Sequence, residues 1–336
     1  MRPSLERVLD GRHLDEGEAG DLLRELADGN ASPTVMGALL AALRAKGETE
    51  AELRGFARAM RELARKPELP AGRPIVDAAG TGGDGSGSVN LTTGSALLAA
   101  ACGCRVVKHG NHSVSSKSGS ADILTALGVP MPLDEAAAGA WLAATGFTFL
   151  YAPYYHPAMK VLAPIRRALG VRTIFNLLGP ITNPAQPPFQ MIGAYSKAAA
   201  RLLARTIAGL PVERAFVVHG HPGWDEPTPS GPFLLIDVRP GRTREVIVDP
   251  AQYGIARCLP EELAGGTGAQ NAAHLRDVFG GRPGAHRDAL ILGAALLLQL
   301  TGEVSSPRQA AEAAAAAIDD GSARRLIERL PGPHHV

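Results

Sequence analysis

Cysteine is scarce in this chain. Cys102, Cys104 and Cys258 are the only three, without the spacing of a metal site and in the wrong number for a disulfide framework. Cys102 and Cys104 lie in an alanine-rich apolar stretch and read as small, reduced, buried residues. An excess of charge is missing too. The 34 lysines and arginines stand against 33 acids, for a formal net charge of +1, which offers no overall electrostatic footprint for nucleic acid or an anionic membrane. Long apolar runs are absent, because glycine, polar or charged residues break each one before bilayer length. The opening residues Met1-Arg2-Pro3-Ser4-Leu5-Glu6-Arg7 reach charge at once and hold no apolar signal core. The expectation is a soluble, cytoplasmic protein with no nucleic-acid or membrane partner. His219 and His221 have no third ligand close by in sequence, so no metal is expected there.

What the chain does have is punctuation, in 39 glycines and 26 prolines that mark where elements end. Asp15 with Glu18 makes a capping-box pattern and Gly29 a stop. Ser32-Pro33 opens a second helix that Gly47 closes, and Thr49 with Glu52 opens a third that ends before Pro67. Leu22, Leu23, Leu26 and then Leu39, Leu40, Leu43 recur at helical spacing, which predicts amphipathic helices whose apolar face needs a partner. A small helical domain or an oligomer contact follows. Beyond the proline-bearing stretch 67–74, short β runs alternate with alanine-rich helices, so the class is α/β. The runs 105–107, 190–194 and 215–218 read as strands buried on both faces, and 233–238 with 244–248 as a more exposed pair. The stretch 136–167 reads as mostly helical, and the alanines 310–317 as a plain helix.

The densest signal is Gly80-Thr81-Gly82-Gly83-Asp84. Its glycines let several backbone N–H groups converge on one ligand with no side chain in the way. A strand-like run, 74–79, precedes it and helix-compatible sequence, 92–101, follows, which places the loop where a helix dipole favours an anion. Alone, such a loop fits a tight turn equally well. The spacing to a Lys-Ser/Thr pair excludes a P-loop, and the Gly-x-Gly-x-x-Gly order of dinucleotide folds is missing. A second polar pole is Asp225-Glu226. Adjacent carboxylates repel unless a cation lies beside them, and Mg²⁺ prefers carboxylate together with phosphate oxygens and water. Read alone, that pair fits a solvated loop better than a metal site.

The run from Asp77 to Asp84 is continued by Asn90-Leu91-Thr92-Thr93 and by Lys108-His109-Gly110-Asn111-His112 through Asp122. Further along stand Tyr151-Ala152-Pro153-Tyr154-Tyr155-His156-Pro157, then Arg166-Arg167 leading to Arg172-Thr173-Ile174-Phe175-Asn176-Leu177-Leu178-Gly179-Pro180. Together these blocks resemble the anthranilate phosphoribosyltransferases, of the nucleoside-phosphorylase-like phosphoribosyltransferases. With Asp225-Glu226 the resemblance spans nearly the whole chain.

The resemblance implies a small discontinuous helical domain, 1–66 joined by a helical segment at about 136–167, and a larger α/β domain, 74–336, with a central mixed, mostly parallel sheet. It implies a glycosyltransferase of tryptophan biosynthesis that moves the phosphoribosyl group from phosphoribosyl pyrophosphate to anthranilate. Mg²⁺ is the implied cofactor, no covalent nucleophile is implied, and the assembly implied is a homodimer through the N-terminal helices. The donor-binding positions that carry over are Gly80, Gly82, Gly83, Asp84, Ser88, Asn90, Leu91, Thr92, Thr93, Lys108, Ser116 and Ser120. The acceptor positions are Gly80, His109, Asn111, His112, Arg166, Gly179 and Pro180, with Arg166 facing the anthranilate carboxylate. The metal positions are Thr92, Asp225 and Glu226. Four departures fall close to these: His112 where arginine is usual, Thr92 for serine, Trp224 for leucine ahead of the acidic pair, and Gly293 for a frequent asparagine. They leave open transfer to another aromatic amine or carboxylate. A catalytically silent nucleic-acid-binding relative is disfavoured by the neutral charge and the retained acidic pair.

Overall fold

The computed structural model describes residues 1–113 and 117–331. Its N-terminal helices start where the sequence places their caps. The Asp15 carboxylate accepts from Glu18 N at 2.8 Å while the Glu18 carboxylate accepts from Asp15 N at 2.9 Å, and Thr49 and Glu52 make the same exchange. Four helices result: α1 (Arg2–Leu9), α2 (Glu16–Ala27), α3 (Pro33–Lys46) and α4 (Glu50–Glu62). Their leucine stripes, Leu22, Leu23, Leu26, Leu39, Leu40 and Leu43, are all buried.

Seven strands form one sheet: β1 (Ile75–Gly80), β2 (Arg105–Gly110), β3 (Phe147–Tyr151), β4 (Phe189–Gly193), β5 (Arg214–His219), β6 (Phe233–Arg239) and β7 (Arg242–Val248). The spatial order is β3-β2-β1-β4-β5-β6-β7. The first five run parallel, and β6 and β7 are antiparallel additions at one edge. The remaining helices are α5 (Leu91–Ala101), α6 (Ser120–Ala126), α7 (Glu135–Thr145), α8 (Ala152–Tyr155), α9 (Met159–Leu169), α10 (Phe175–Leu178), α11 (Lys197–Ala208), α12 (Gly268–Phe279), α13 (Ala285–Thr301), α14 (Pro307–Asp319) and α15 (Ser322–Arg329).

Strand alternation divides the apolar residues between two cores. On β5 and β6, Phe216, Val218, Phe233 and Leu235 join α5 and α12 to α15 on one face, while Ala215, Val217, Leu234, Ile236 and Val238 join α11 and the N-terminal helices on the other. The N-terminal leucines therefore find their partner within the chain. Packing of α9 against α2 and α3 completes that second layer.

Two expectations need correction. Inside the stretch 136–167, Phe147–Tyr151 is the edge strand β3, paired in parallel with β2. Its sequence Phe-Thr-Phe-Leu-Tyr is rich in aromatic and β-branched residues, which suit a strand, and Gly146 ends α7 in a left-handed cap just before it, but five residues set between helices read as part of a helical stretch. The strand β6 is buried on both faces, because Phe233 and Leu235 pack into one core and Leu234, Ile236 and Val238 into the other, and only β7 is exposed.

The order of strands along the sheet reverses at β1. From there β2 lies to one side and β4 to the other, so the crevice beyond the carboxyl ends of β1 and β4 is a topological switch point, the place where open α/β sheets bind ligands. The β1–β4 register brings Gly80 beside Gly193, and Gly193 beside Val218 of β5.

Candidate active site

The loop from Thr81 to Asn90 leaves the end of β1 and enters α5. Gly82 and Gly83 have φ of +69° and +70°, backbone that side-chain-bearing residues rarely adopt. The second half of the loop is pinned from outside, by Val89 N to Leu263 O at 2.9 Å and Gly265 N to Gly87 O at 2.8 Å. Asn90 is fixed on three sides: its amide donates to Ser118 O, and its carbonyl accepts from Ser118 Oγ and from Asn271 Nδ2. Leu91 and Thr93 face the buried side of α5 and hold its first turn in place.

Asp225 and Glu226 lie across this loop. Both are buried, at 7% and 9% exposure, so the reading as a solvated pair fails. Asp225 Oδ2 accepts from Gly82 N at 2.5 Å, Glu226 Oε1 from Thr92 N at 2.8 Å, and Glu226 Oε2 from Ser88 Oγ at 2.9 Å. Asp84 closes the cluster by accepting from Asp225 N at 3.1 Å. The close approach depends on missing side chains, since a Cβ on Gly193 would stand 1.5 Å from Asp225 O and one on Gly220 1.9 Å from Glu226 O.

Burial raises the pKa of both acids, and for Asp225 the neighbouring Glu226 and Asp84 charges raise it further. Such a cluster calls for a cation. The oxygens of Asp225, Glu226 and Thr92 are hard donors that fit Mg²⁺. Among the described residues no three acidic, imidazole or thiol groups form a closed cage, which suits an ion that keeps water and takes phosphate oxygens. The N–H and hydroxyl donors of Gly82, Ser88 and Thr92 now hold carboxylate oxygens, which shows that they converge on anionic oxygen.

Lys108 differs from expectation. It is buried at the end of β2 and donates to Ala78 O at 2.5 Å, so it lies under β1 and does not reach into the loop. Burial lowers its pKa against the opposing pull of Asp77, Glu226 and Asp225, and it serves the cluster as a counter-charge from beneath.

On the other side of the switch point stands a less polar wall. His109 Nδ1 lies 3.3 Å from Gly179 O, its ring meets His156 edge-on at 5.0 Å, and its Nε2 is buried with no partner among the described residues. Burial, then His156, drives the His109 pKa well down, so the ring is neutral. With Nδ1–H donating to Gly179 O, Nε2 carries the lone pair. Pro180 is buried next to it in a tight turn, Gly179–Ile181. Arg166, on α9, is half-buried with its guanidinium 5.3 Å above the Phe175 ring and has no acidic partner among the described residues, whereas Arg167 is exposed. Burial lowers the Arg166 pKa. A planar carboxylate is the partner such a fork takes.

The remaining expected positions cluster around Asp122. Asn111 O accepts from Ala121 N and from Ser120 Oγ. His112 turns its ring to Asp122, Nδ1 to Oδ1 at 2.5 Å, and edge-on to Tyr151. Ser116 lies outside the described residues. Gly293 packs on α5: a Cβ there would stand 2.1 Å from Ser95 Oγ, so its small size serves the crossing of α13 over α5. Trp224 is buried in the core, and His219 and His221 have separate partners, Ala194 O and Ser230.

Sequence reasoning missed three groups. Asp77, on β1, accepts from His109 N and from Asn183 Nδ2, which ties β1 to the His109 side of the crevice, and burial raises its pKa to about 6. An acid in the middle of an apolar strand was the available signal. Tyr195 N donates to Thr81 Oγ1 at 3.0 Å. Arg172 reaches the Gly83 carbonyl and stacks 3.9 Å over the Tyr195 ring. Neither contact has a local sequence signature.

Comparison with known proteins identifies the family. The model of the glycosyl transferase family a/b domain matches residues 72–324, and that of the family's helical bundle domain matches residues 2–64. The anthranilate phosphoribosyltransferase of Desulforudis audaxviator is 44% identical over 331 residues, 98% of this chain and 95% of that protein. That of Brevibacillus brevis is 45% identical over 328 residues, 97% and 96% of the two chains. The crystal structure of anthranilate phosphoribosyltransferase from Thermus thermophilus superposes with a TM-score of 0.91 at 39% identity, over 98% of each chain. The Saccharomyces cerevisiae enzyme, in complex with phosphoribosyl pyrophosphate and Mg, superposes with a TM-score of 0.88 at 26% identity, over 98% of this chain and 96% of that one. On sequence and fold together, the chain belongs to the anthranilate phosphoribosyltransferase family.

Proposed function

We propose that this chain transfers the phosphoribosyl group of phosphoribosyl pyrophosphate to anthranilate, in tryptophan biosynthesis. The anthranilate amine attacks the anomeric carbon, the bond from that carbon to pyrophosphate breaks, and pyrophosphate leaves with the bonding pair. The nitrogen then loses its proton, leaving N-(5-phosphoribosyl)anthranilate. The observation that carries this reading is the buried Asp225-Glu226 pair laid across a glycine loop at the switch point, with the acid-free Arg166 opposite.

In this reading the donor lies along Gly80, Gly82, Gly83, Asp84, Ser88, Asn90, Leu91, Thr92 and Thr93, with Ser116 and Ser120 beyond them and Lys108 beneath. Thr92, Asp225 and Glu226 hold Mg²⁺, which when bound neutralises pyrophosphate and acts as a Lewis acid on it as it departs. His109, Asn111, His112, Gly179 and Pro180 form the acceptor wall, and Arg166 takes the carboxylate. No side chain forms a covalent intermediate, so positioning and preorganised charge carry the rate.

The chain is divided in this reading into a helical domain, 1–66 with the helical segment at about 136–167, and an α/β domain, 74–336. The separate ranges of the two family models support a boundary between 64 and 72, and the packing of α9 on α2 and α3 supports joining the later part of the 136–167 segment to the N-terminal helices, while β3 within it belongs to the sheet. A homodimer through the N-terminal helices is supported by Leu9, which leaves an apolar side chain 66% exposed on α1. A cytoplasmic location accords with the lack, among the described residues, of a helix long and apolar enough to cross a membrane.

The test is an acceptor panel. Pyrophosphate release is measured with phosphoribosyl pyrophosphate, Mg²⁺ and each of anthranilate, its ring-substituted analogues, other aminobenzoates and hydroxybenzoates. Anthranilate is expected to be the preferred acceptor. Robust turnover of a different aromatic with negligible turnover of anthranilate would move the chain to another acceptor.

A further inference from the structure

Arg172 has no carboxylate partner among the described residues. It is half-buried at the lip of the glycine loop and spends its guanidinium on two neutral partners, the Gly83 carbonyl and the face of Tyr195 at 3.9 Å. Its own carbonyl is held from α3, by Arg44 at 2.7 Å. Tyr195 in turn donates its N–H to Thr81 Oγ1, and Thr81 Oγ1 reaches Asp225 at 3.5 Å. The contact therefore joins a residue of the segment between Arg166 and Gly179, both on the acceptor wall, to the most glycine-rich turn of the donor loop.

Two physical consequences follow. A loop with several glycines loses more conformational freedom on ordering than any other backbone, so an external clasp lowers the cost of fixing it around a ligand. In a trans peptide the C=O and the following N–H point in opposite directions. Holding the Gly83 carbonyl on the Arg172 side therefore fixes the Asp84 N–H on the other side. The Arg172 fork, stacked on a ring and donating at one edge, holds that geometry as a lysine ammonium cannot.

We propose that Arg172 is a positioning residue that clasps the donor loop from the acceptor segment, so that phosphoribosyl pyrophosphate binds a preformed loop and ordering either wall favours the other. This inference rests on reading the glycine loop as the donor site.

The experiment is calorimetric titration of phosphoribosyl pyrophosphate, with Mg²⁺ and without acceptor, into the wild-type protein, Arg172→Ala, Arg172→Lys and Tyr195→Leu, each checked for folding by circular dichroism. Loss of one charge-assisted hydrogen bond and its stack predicts donor affinity lower by about tenfold in Arg172→Ala, and a smaller loss in Tyr195→Leu. Arg172→Lys should recover only part of it. Steady-state rates should show a raised KM for the acceptor at low donor concentration that returns toward wild type when donor is saturating, a split that general loosening of the fold would not give. Wild-type donor affinity in a folded Arg172→Ala, or equal loss of both substrates at all concentrations, would overturn the inference alone. Failure of the wild-type protein to bind donor would overturn the reading of the loop, and the inference with it. If Arg172→Ala does not fold, Tyr195→Leu and Arg172→Lys decide the question by the same criterion.

Discussion

At the scale of single residues, the acidic pair opposes stability and serves chemistry. Asp225 and Glu226 are buried side by side with Asp84 near, and like charges in a poorly solvated place repel. In the protein without substrates, Asp225→Asn should raise stability by on the order of 1 kcal/mol, a few degrees in melting temperature. The same change should lower turnover on the order of a hundredfold, because charge on the leaving pyrophosphate goes unmatched. Thermal unfolding and initial rates on one preparation check both halves, and a variant that is fully active would remove Asp225 from the metal site. Gly193→Ala makes the complementary case. Its Cβ would collide with the Asp225 carbonyl, so the acidic loop must lift, at about 1–3 kcal/mol of stability. Mg²⁺ dependence of the rate should shift to higher concentration, and an unshifted dependence would show that the loop position does not matter. His156 sets a pH dependence. Burial, then Lys66, pushes its pKa down to about 4 from 6.5. Between those values the unfolded chain binds more protons, so stability is full above about pH 6.5 and falls as pH drops toward 4. His156→Phe keeps a ring against His109 and should flatten that slope by a few kcal/mol across the window, read by urea denaturation at several pH values.

At the scale of elements, one carboxylate ties the N-terminal helices together. Glu52 is fully buried, accepts from Leu14 N at 3.0 Å and Thr49 N at 2.9 Å, and pairs with Lys46 at 2.9 Å. It thus caps α4, holds the turn before α2 and receives the end of α3. Removing one member of a buried pair leaves the other charge uncompensated, so Glu52→Ala should cost about 3–5 kcal/mol. A denaturant midpoint within error of wild type would contradict the role. The capping of α4 by Glu52 was legible in the sequence, because capping boxes are local and spell themselves in four residues, whereas its bonds to Leu14 and Lys46 were not. Four of the five parallel strands, β1, β2, β4 and β5, were legible for a similar reason, as short apolar runs bounded by glycine and other turn residues. Less legible were elements whose identity depends on neighbours. The strand β3 reads as part of a helical stretch until β2 is there to pair with it, and β6 reads as half-exposed until the helical layers pack on both its faces.

At the scale of the whole molecule, the sheet order decides where chemistry can occur. The turn after β1, the loop after β5 and the segment before β4 meet at one crevice only because β1 lies between β2 and β4. The glycine loop and the acidic pair were readable as separate signals, and the resemblance joined them. Their direct contact, Gly82 N to Asp225 and Thr92 N to Glu226, was not readable, nor was the turning of Lys108 away from the loop, nor Arg172 reaching Gly83. Each is a long-range pairing that no local pattern encodes. The account's central claim is that this crevice joins the phosphoribosyl group to anthranilate with Mg²⁺. The most direct test follows anthranilate consumption by its fluorescence and pyrophosphate by a coupled assay, in one reaction with and without Mg²⁺. The account predicts that the two change in equal amounts and that both stop when Mg²⁺ is chelated. Pyrophosphate released without loss of anthranilate, or turnover of neither, would contradict it.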